Sequence, residues 1–179
     1  MRTTGKAPRQ QPSGMPFQKY AHFWDSSLKL PDRTWPDRNV TQAPRWLSTD
    51  LRDGNQALIE PMDSRRKRKL FDLLVQIGLK EIEIGFPAAS QIDFDFVRSL
   101  VEDNAIPEDV CVSVLTQARE DLIGRTIESL VGVPRANVHI YNATSPTFRE
   151  VVFHNDKAAT VELAVSGVRE VIAQAEKQL

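Results

Sequence analysis

Ser48-Thr49-Asp50-Leu51-Arg52-Asp53-Gly54-Asn55-Gln56 is the stretch from which the rest of the chain can be read. It follows the short apolar segment Trp46-Leu47 and precedes a strongly patterned helix. Asp50, Arg52, Asp53, Asn55 and Gln56 surround a single glycine, Gly54. Most polar loops are solvated turns. This one sets an arginine beside a carboxylate at the end of a strand, where α/β folds place their chemistry.

Outward from that loop the same unit recurs. Residues 46–49 read as the first strand. Asp63 caps a helix whose apolar positions Leu70, Leu73, Leu74 and Ile77 recur at helical spacing, and Gly78 stops it. The basic run Arg65-Arg66-Lys67-Arg68-Lys69 in its first turns reads as a solvated face, with an anion site as the alternative. Residues 81–86 form the second strand, with Ile82, Ile84 and Phe86 alternating against Glu81, Glu83 and Gly85. Ser90 caps a helix carrying Phe96, Val97, Leu100 and Val101. Residues 110–116 are a nearly continuous apolar run, as expected of a strand buried on both faces. A third helix turns Leu122, Ile127 and Leu130 inward and stops near Gly132. Residues 137–142 form the fourth strand. After a loop at 143–146, a long helix starts near Asp156 and carries the stripe Val161, Ala164, Val165, Val168, Val171, Ile172 and Ala175.

The order is βαβαβαβα in units of about 30 residues, which predicts parallel strands with right-handed helical crossovers. A small open doubly wound sheet fits, and so does the first half of a (β/α)8 barrel, which needs about 250 residues in full. The absence of Gly-x-Gly-x-x-Gly and of a phosphate loop weakens a nucleotide-binding open sheet.

The 179 residues suffice for one domain with a real core. A formal net charge of -1 points to neither nucleic acid nor a membrane surface. The single cysteine, Cys111, excludes a disulfide within the chain, fits a cytoplasmic protein and reads as a small core residue. Residues 1–44 read as an irregular extension, broken by Pro8, Pro12, Pro16, Pro31, Pro36 and Pro44. Its first dozen or so residues are expected to be disordered. Its aromatic residues Phe17, Tyr20, Phe23, Trp24 and Trp35 are expected to pack on a surface.

Alternation shows which polar side chains share a face. Glu83 lies opposite Ile82 and Ile84, and His139 and Tyr141 lie opposite Val138 and Ile140. If the apolar sets face the helices, Glu83 and His139 point the other way, into a barrel. A buried glutamate is costly unless paired, and Arg52 on the neighbouring strand is the obvious partner. The plainer readings are an ion pair that holds two strands together and a hydrogen-bonded core histidine. For His22 and His154 the structural reading is preferred. An aspartate at a strand end can hold a divalent cation. The arginine beside it can hold a carboxylate or a developing alkoxide, and a nearby histidine can orient or protonate an oxygen.

Leu51-Arg52-Asp53-Gly54-Asn55-Gln56, Glu83-Ile84-Gly85-Phe86-Pro87-Ala88 and His139-Ile140-Tyr141-Asn142-Ala143-Thr144-Ser145 together resemble the 2-isopropylmalate synthases. The resemblance covers nearly the whole chain, and Pro12-Ser13-Gly14-Met15-Pro16 is similar to the extension of the long forms. Arg52, Asp53 and Glu83 match the Asp-Arg-Glu set of a wider superfamily that includes homocitrate and citramalate synthases and hydroxymethylglutaryl-CoA lyase. Gly85-Phe86-Pro87 and the extension favour 2-isopropylmalate synthase.

The resemblance implies an α/β fold: the first half of a TIM barrel, four βα units over residues 45–179, after the extension at 1–44. It implies a Claisen condensation in leucine synthesis, in which acetyl-CoA adds to 2-oxoisovalerate and thioester hydrolysis yields 2-isopropylmalate and CoA. By that match Asp53 is a metal ligand, for Mg2+ first and Zn2+ or Mn2+ otherwise. Arg52 contacts the keto acid and stabilises the new alkoxide, Glu83 supports Arg52, and His139, Gln56 and Tyr141 line the site. A cytoplasmic homodimer at full length is expected, with neither nucleic acid nor membrane as partner. The alternatives are a related synthase, a lyase running the reverse chemistry, or a non-catalytic half-barrel that binds another subunit. The family pattern continues with a second half-barrel bearing a His-x-His metal pair, then a leucine-binding regulatory domain. This chain has no His-x-His and is expected to be an N-terminal portion or a degenerate copy, inactive by itself.

Overall fold

The structure, a computed structural model, describes residues 44–179 together with Pro16, Lys19 and Asp32. The packing expected of Phe17, Tyr20, Phe23, Trp24 and Trp35, and the reading of His22, lie outside the described residues. The elements run β1 (Leu47–Ser48), α1 (Ser64–Gln76), β2 (Glu81–Gly85), α2 (Gln91–Glu102), β3 (Cys111–Gln117), α3 (Glu120–Ser129), β4 (Ala136–Tyr141) and α4 (Lys157–Gln178). The strands form one parallel sheet in the order β1-β2-β3-β4. A helix connects each strand to the next, as parallel neighbours require. This is the first half of a TIM barrel.

Local chemistry sets the helix boundaries. Asp63 accepts the Arg66 N–H at 2.7 Å, Ser90 accepts the Asp93 N–H at 3.1 Å, and Asp156 accepts the Ala159 N–H at 2.7 Å. Each such cap contributes about 1 kcal/mol. Gly78 (φ 98°) ends α1 in the left-handed region that a side chain would resist. The core lies between helices and sheet: Phe71, Leu74 and Val75 of α1, Ile82 and Ile84 of β2, Phe96, Val97 and Leu100 of α2, and Val112 and Val114 of β3. The apolar residues of β2 therefore face the helices, and Glu83 lies on the opposite face.

Several local expectations are corrected. The first strand is regular only at Leu47–Ser48, because the Thr49 carbonyl accepts the N–H groups of Arg52 (3.1 Å) and Gly54 (3.2 Å). The polar loop is thus a π-helical turn, Asp50–Gly54, with Leu51 buried beneath it. The buried face of α1 is Lys67, Phe71, Leu74 and Val75, while Leu73 and Ile77 are exposed. Lys67 has left the solvated basic run altogether. In α3 the buried set begins at Ile123 rather than Leu122. In α4 the buried positions are Thr160 and Gly167, and Val161, Val165, Val168 and Ile172 face outward. A Cβ on Gly167 would lie 2.9 Å from Ala118 Cβ and from Ile140 Cδ1. Close approach at this glycine selects the face, not the number of valines. A second π-helical turn, Phe148–Phe153, precedes α4. Cys111 is half-buried at the start of β3 rather than in the core.

Candidate active site

The site is built on the face of the sheet turned away from the helices, at the carboxyl ends of β1, β2 and β4. Glu83 of β2 is fully buried there. Its Oε2 accepts from Arg52 Nε at 2.8 Å and pairs with Arg52 Nη2 at 2.7 Å. Its Oε1 lies 2.7 Å from His139 Nδ1. Arg52 comes from the π-helical turn after β1, and its Nη1 donates to Asp53 Oδ1. One buried carboxylate thereby joins residues from three segments. The Arg52 side chain is 14% exposed, whereas those of Asp53 and His139 are 59% and 47% exposed, so the network is sealed below and open above.

The turn that carries Arg52 and Asp53 is itself held. Ser48 Oγ donates to Asp50 Oδ2 at 2.5 Å. Asn55 Oδ1 accepts the Met62 N–H at 2.6 Å, tying the exit of the turn to the approach to α1.

Donor accounting shows what the arrangement can do. A guanidinium has five N–H groups and no acceptor. Nε and one hydrogen of Nη2 go to Glu83, and one hydrogen of Nη1 goes to Asp53. One N–H on each terminal nitrogen is left for an outside oxygen. Beside this permanent cation Glu83 is a carboxylate and can only accept, so His139 Nδ1 carries the proton of their bond. Neutral His139 then presents Nε2 as an acceptor, and the imidazolium would present it as a donor.

The other sequence-derived candidates are placed differently. Tyr141 lies two residues beyond His139 on the same face of β4, and its hydroxyl oxygen accepts from Gln117 Nε2 at 3.0 Å. Gln56 is exposed beyond the π-helical turn and takes no part in this network. His154 is exposed at the end of the second π-helical turn. Sequence reasoning missed Gln117. In the parallel register Glu83 stands opposite Ser113, His139 opposite Leu115 and Tyr141 opposite Gln117. Ser113, Leu115 and Gln117 therefore share the face of the site; Gln117 lies one residue beyond the apolar run 110–116, and its alternation with Ser113 was the available signal. A cleft of about 380 Å³ opens beside Gln117 and Tyr141, walled by Phe148, Phe153 and Leu163. Asn142 also lines it, and its Nδ2 is buried without a hydrogen-bond partner among the described residues.

A resident cation would find Asp53, one half-exposed carboxylate already engaged by Arg52. Among the described residues no group of three or more histidine, cysteine, aspartate or glutamate side chains could hold a metal ion. These residues do not complete a metal site.

Four parallel βα units with a charged network at the strand ends define an α/β protein of the TIM-barrel class. Comparison with known proteins makes this specific: the chain belongs to the HMGL-like family, whose model matches residues 43–178. It is 63% identical over 172 residues to the 2-isopropylmalate synthase of Thermobifida fusca, a match covering 96% of this chain and 30% of that one. It is 61% identical over 170 residues to the Parafrankia enzyme of the same name, covering 95% of this chain and 30% of the relative. For the Clavibacter michiganensis enzyme of that name, identity is 62% over 161 residues, covering 89% and 27%. The chain thus spans under a third of the length of these relatives. Among the described residues, no helix is long and apolar enough to cross a membrane.

Proposed function

We propose that this chain carries the keto-acid half of a 2-isopropylmalate synthase site, an acyltransferase of leucine synthesis. Acetyl-CoA loses a methyl proton, and the resulting carbon attacks the keto carbon of 2-oxoisovalerate. The carbonyl π electrons move onto oxygen as an alkoxide, which takes up a proton to become the hydroxyl, balancing the one lost by the methyl group. Water then cleaves the thioester, giving 2-isopropylmalate and CoA. The observation that carries this reading is Arg52, fixed by buried Glu83 with one N–H free on each terminal nitrogen. That pair suits the keto acid's carboxylate and the oxygen that becomes the alkoxide, where oriented donors matter most. His139, joined to the same Glu83, would bound the keto-acid pocket, with Tyr141 and Gln56 as outer lining. The similarity to enzymes named 2-isopropylmalate synthase supports the substrate choice.

The reading extends to a divalent cation, Mg2+ before Zn2+ or Mn2+, with Asp53 as one ligand. Its support is limited to a hard oxygen donor at a strand end. It also includes a cytoplasmic homodimer acting on small molecules; the single cysteine is in keeping with a reducing compartment. The HMGL-like match favours one second reading, a lyase that cleaves a hydroxyacyl-CoA by the reverse chemistry. Incubating the whole protein with acetyl-CoA and 2-oxoacids while following free thiol separates the two. Thiol release dependent on 2-oxoisovalerate is expected. Cleavage of a hydroxyacyl-CoA without that release would replace the synthase by the lyase.

A further inference from the structure

We propose that Asp93, seated by buried Lys67, is a positioning clamp for this site through its hydrogen bond to the Phe86 amide. Lys67 is 1% exposed on the core face of α1, where Phe71, Leu74 and Val75 are its buried neighbours along the helix. Its Nζ pairs with Asp93 Oδ1 from α2 and sits 5.4 Å from the centre of the Phe96 ring. The second oxygen, Asp93 Oδ2, accepts the Phe86 N–H at 2.8 Å. The carboxylate is seated directly against the end of β2: a Cβ on Gly85 would lie 3.0 Å from Oδ2 and 3.1 Å from Cγ.

The place where the clamp acts matters. The β2–β3 ladder shifts register between Glu83 and Gly85, so regular pairing no longer fixes the strand at that point. Asp93 takes over by holding the next backbone N–H. Glu83 lies just before the irregularity, and among the described residues it alone hydrogen-bonds both Arg52 and His139. The line of contact runs from Lys67 to Asp93, to the Phe86 amide, to the end of β2, and so to the direction of the Glu83 carboxylate. Among the described residues, neither Lys67 nor Asp93 makes a hydrogen bond or ion pair with Arg52, Asp53 or His139; the effect passes through Glu83. A purely structural ion pair could be exchanged for apolar side chains without consequence for the site, since such exchanges are often tolerated.

Two double substitutions separate the possibilities. Lys67→Met with Asp93→Asn removes both charges but keeps an acceptor for the Phe86 N–H. Lys67→Met with Asp93→Leu removes the acceptor as well. The readout is the ring nitrogens of His139 in long-range 1H–15N spectra at alkaline pH, assigned against His139→Gln. The parent is expected to show the Nδ1–H tautomer that Glu83 imposes. The Asn variant should keep it, and the Leu variant should move toward the Nε2–H tautomer while still unfolding cooperatively. Lys67→Met with Asp93→Ala, which also removes the acceptor but adds no bulk beside Gly85, should shift the tautomer the same way and serves if the Leu variant does not fold. An Nδ1–H pattern retained in the Leu or Ala variant, or lost equally in the Asn variant, would overturn the clamp. The inference rests on Glu83 joining the site residues. The nitrogen readout needs no turnover, so failure of the synthase assay and failure of the clamp are distinguishable.

Discussion

At the scale of single residues, Arg52 works through geometry as much as charge. Two of its nitrogens are committed to Glu83, which aims the remaining N–H groups. Lysine keeps the charge but loses the planar fork. In the whole enzyme, Arg52→Lys is expected to lower kcat more than it raises the KM for the keto acid, because the alkoxide exists only along the reaction path. Losing one such donor costs about 2.7–4 kcal/mol, roughly a hundred- to a thousandfold in kcat. Steady-state kinetics with near-normal kcat would make Arg52 a strand-pairing residue. Glu83→Gln should give a smaller loss of the same kind, since an amide turns an N–H toward either Arg52 or His139. Cys111 gives a prediction independent of catalysis. Burial, followed by the negative charge of Glu81, raises its thiol above the ordinary 9.0. A raised folded value leaves its stabilising contribution intact below the unfolded value and removes it as pH rises through the folded one. In mild alkali the folded chain should therefore react with iodoacetamide more slowly than the same chain in urea; equal rates would contradict this. Arg52, Asp53 and Glu83 were legible because alternation and strand adjacency suffice to pair them. The bond from Glu83 to His139 was not legible, because β3 lies between their strands. It depends on the register that sets Ser113 beside Glu83 and Leu115 beside His139.

At the scale of elements, the order and caps of the helices followed from sequence, whereas the buried faces of α1 and α4 did not. Both helices carry more apolar residues than one face can hold, so periodicity alone leaves the rotation open. In α1 the Lys67–Asp93 pair turns a lysine into the core. In α4 Gly167 brings the helix against Ala118 and Ile140. The π-helical turns were also invisible, since a Thr49 carbonyl shared by two N–H groups has no side-chain signature. The α4 contact can be tested. Gly167→Ala gains about 1 kcal/mol in helix propensity. The added methyl would meet Ala118 Cβ and Ile140 Cδ1 at 2.9 Å, and overpacking of this kind costs about 1–3 kcal/mol. The net expectation is a loss of stability, read as a lower urea midpoint. A higher midpoint would mean that α4 moves away from the sheet without penalty.

At the scale of the whole molecule, β1 and β4 are the edges of the described sheet. The chain covers 30% of the Thermobifida fusca relative. Most of β4 is exposed, and a parallel edge offers a row of unpaired N–H and C=O groups to any neighbouring strand. Beside it, Val161, Val165, Val168 and Ile172 form an outward apolar stripe along α4. Near the site end, Tyr141, Phe148, Val151 and Val152 are also 41%, 48%, 67% and 56% exposed. Contiguous surface of this kind is uncommon on a monomer. The 179-residue chain produced by itself should therefore self-associate, with mass rising with concentration in sedimentation velocity. Replacing Val165 and Ile172 with lysine should reduce that association. It should leave the unfolding midpoint nearly unchanged, because exposed side chains away from packed features alter stability by only about 0.5 kcal/mol. If the parent chain stays monomeric at every concentration, these surfaces are covered within the chain. If the lysine variant associates as strongly as its parent, the contact runs through the β4 edge and not through α4.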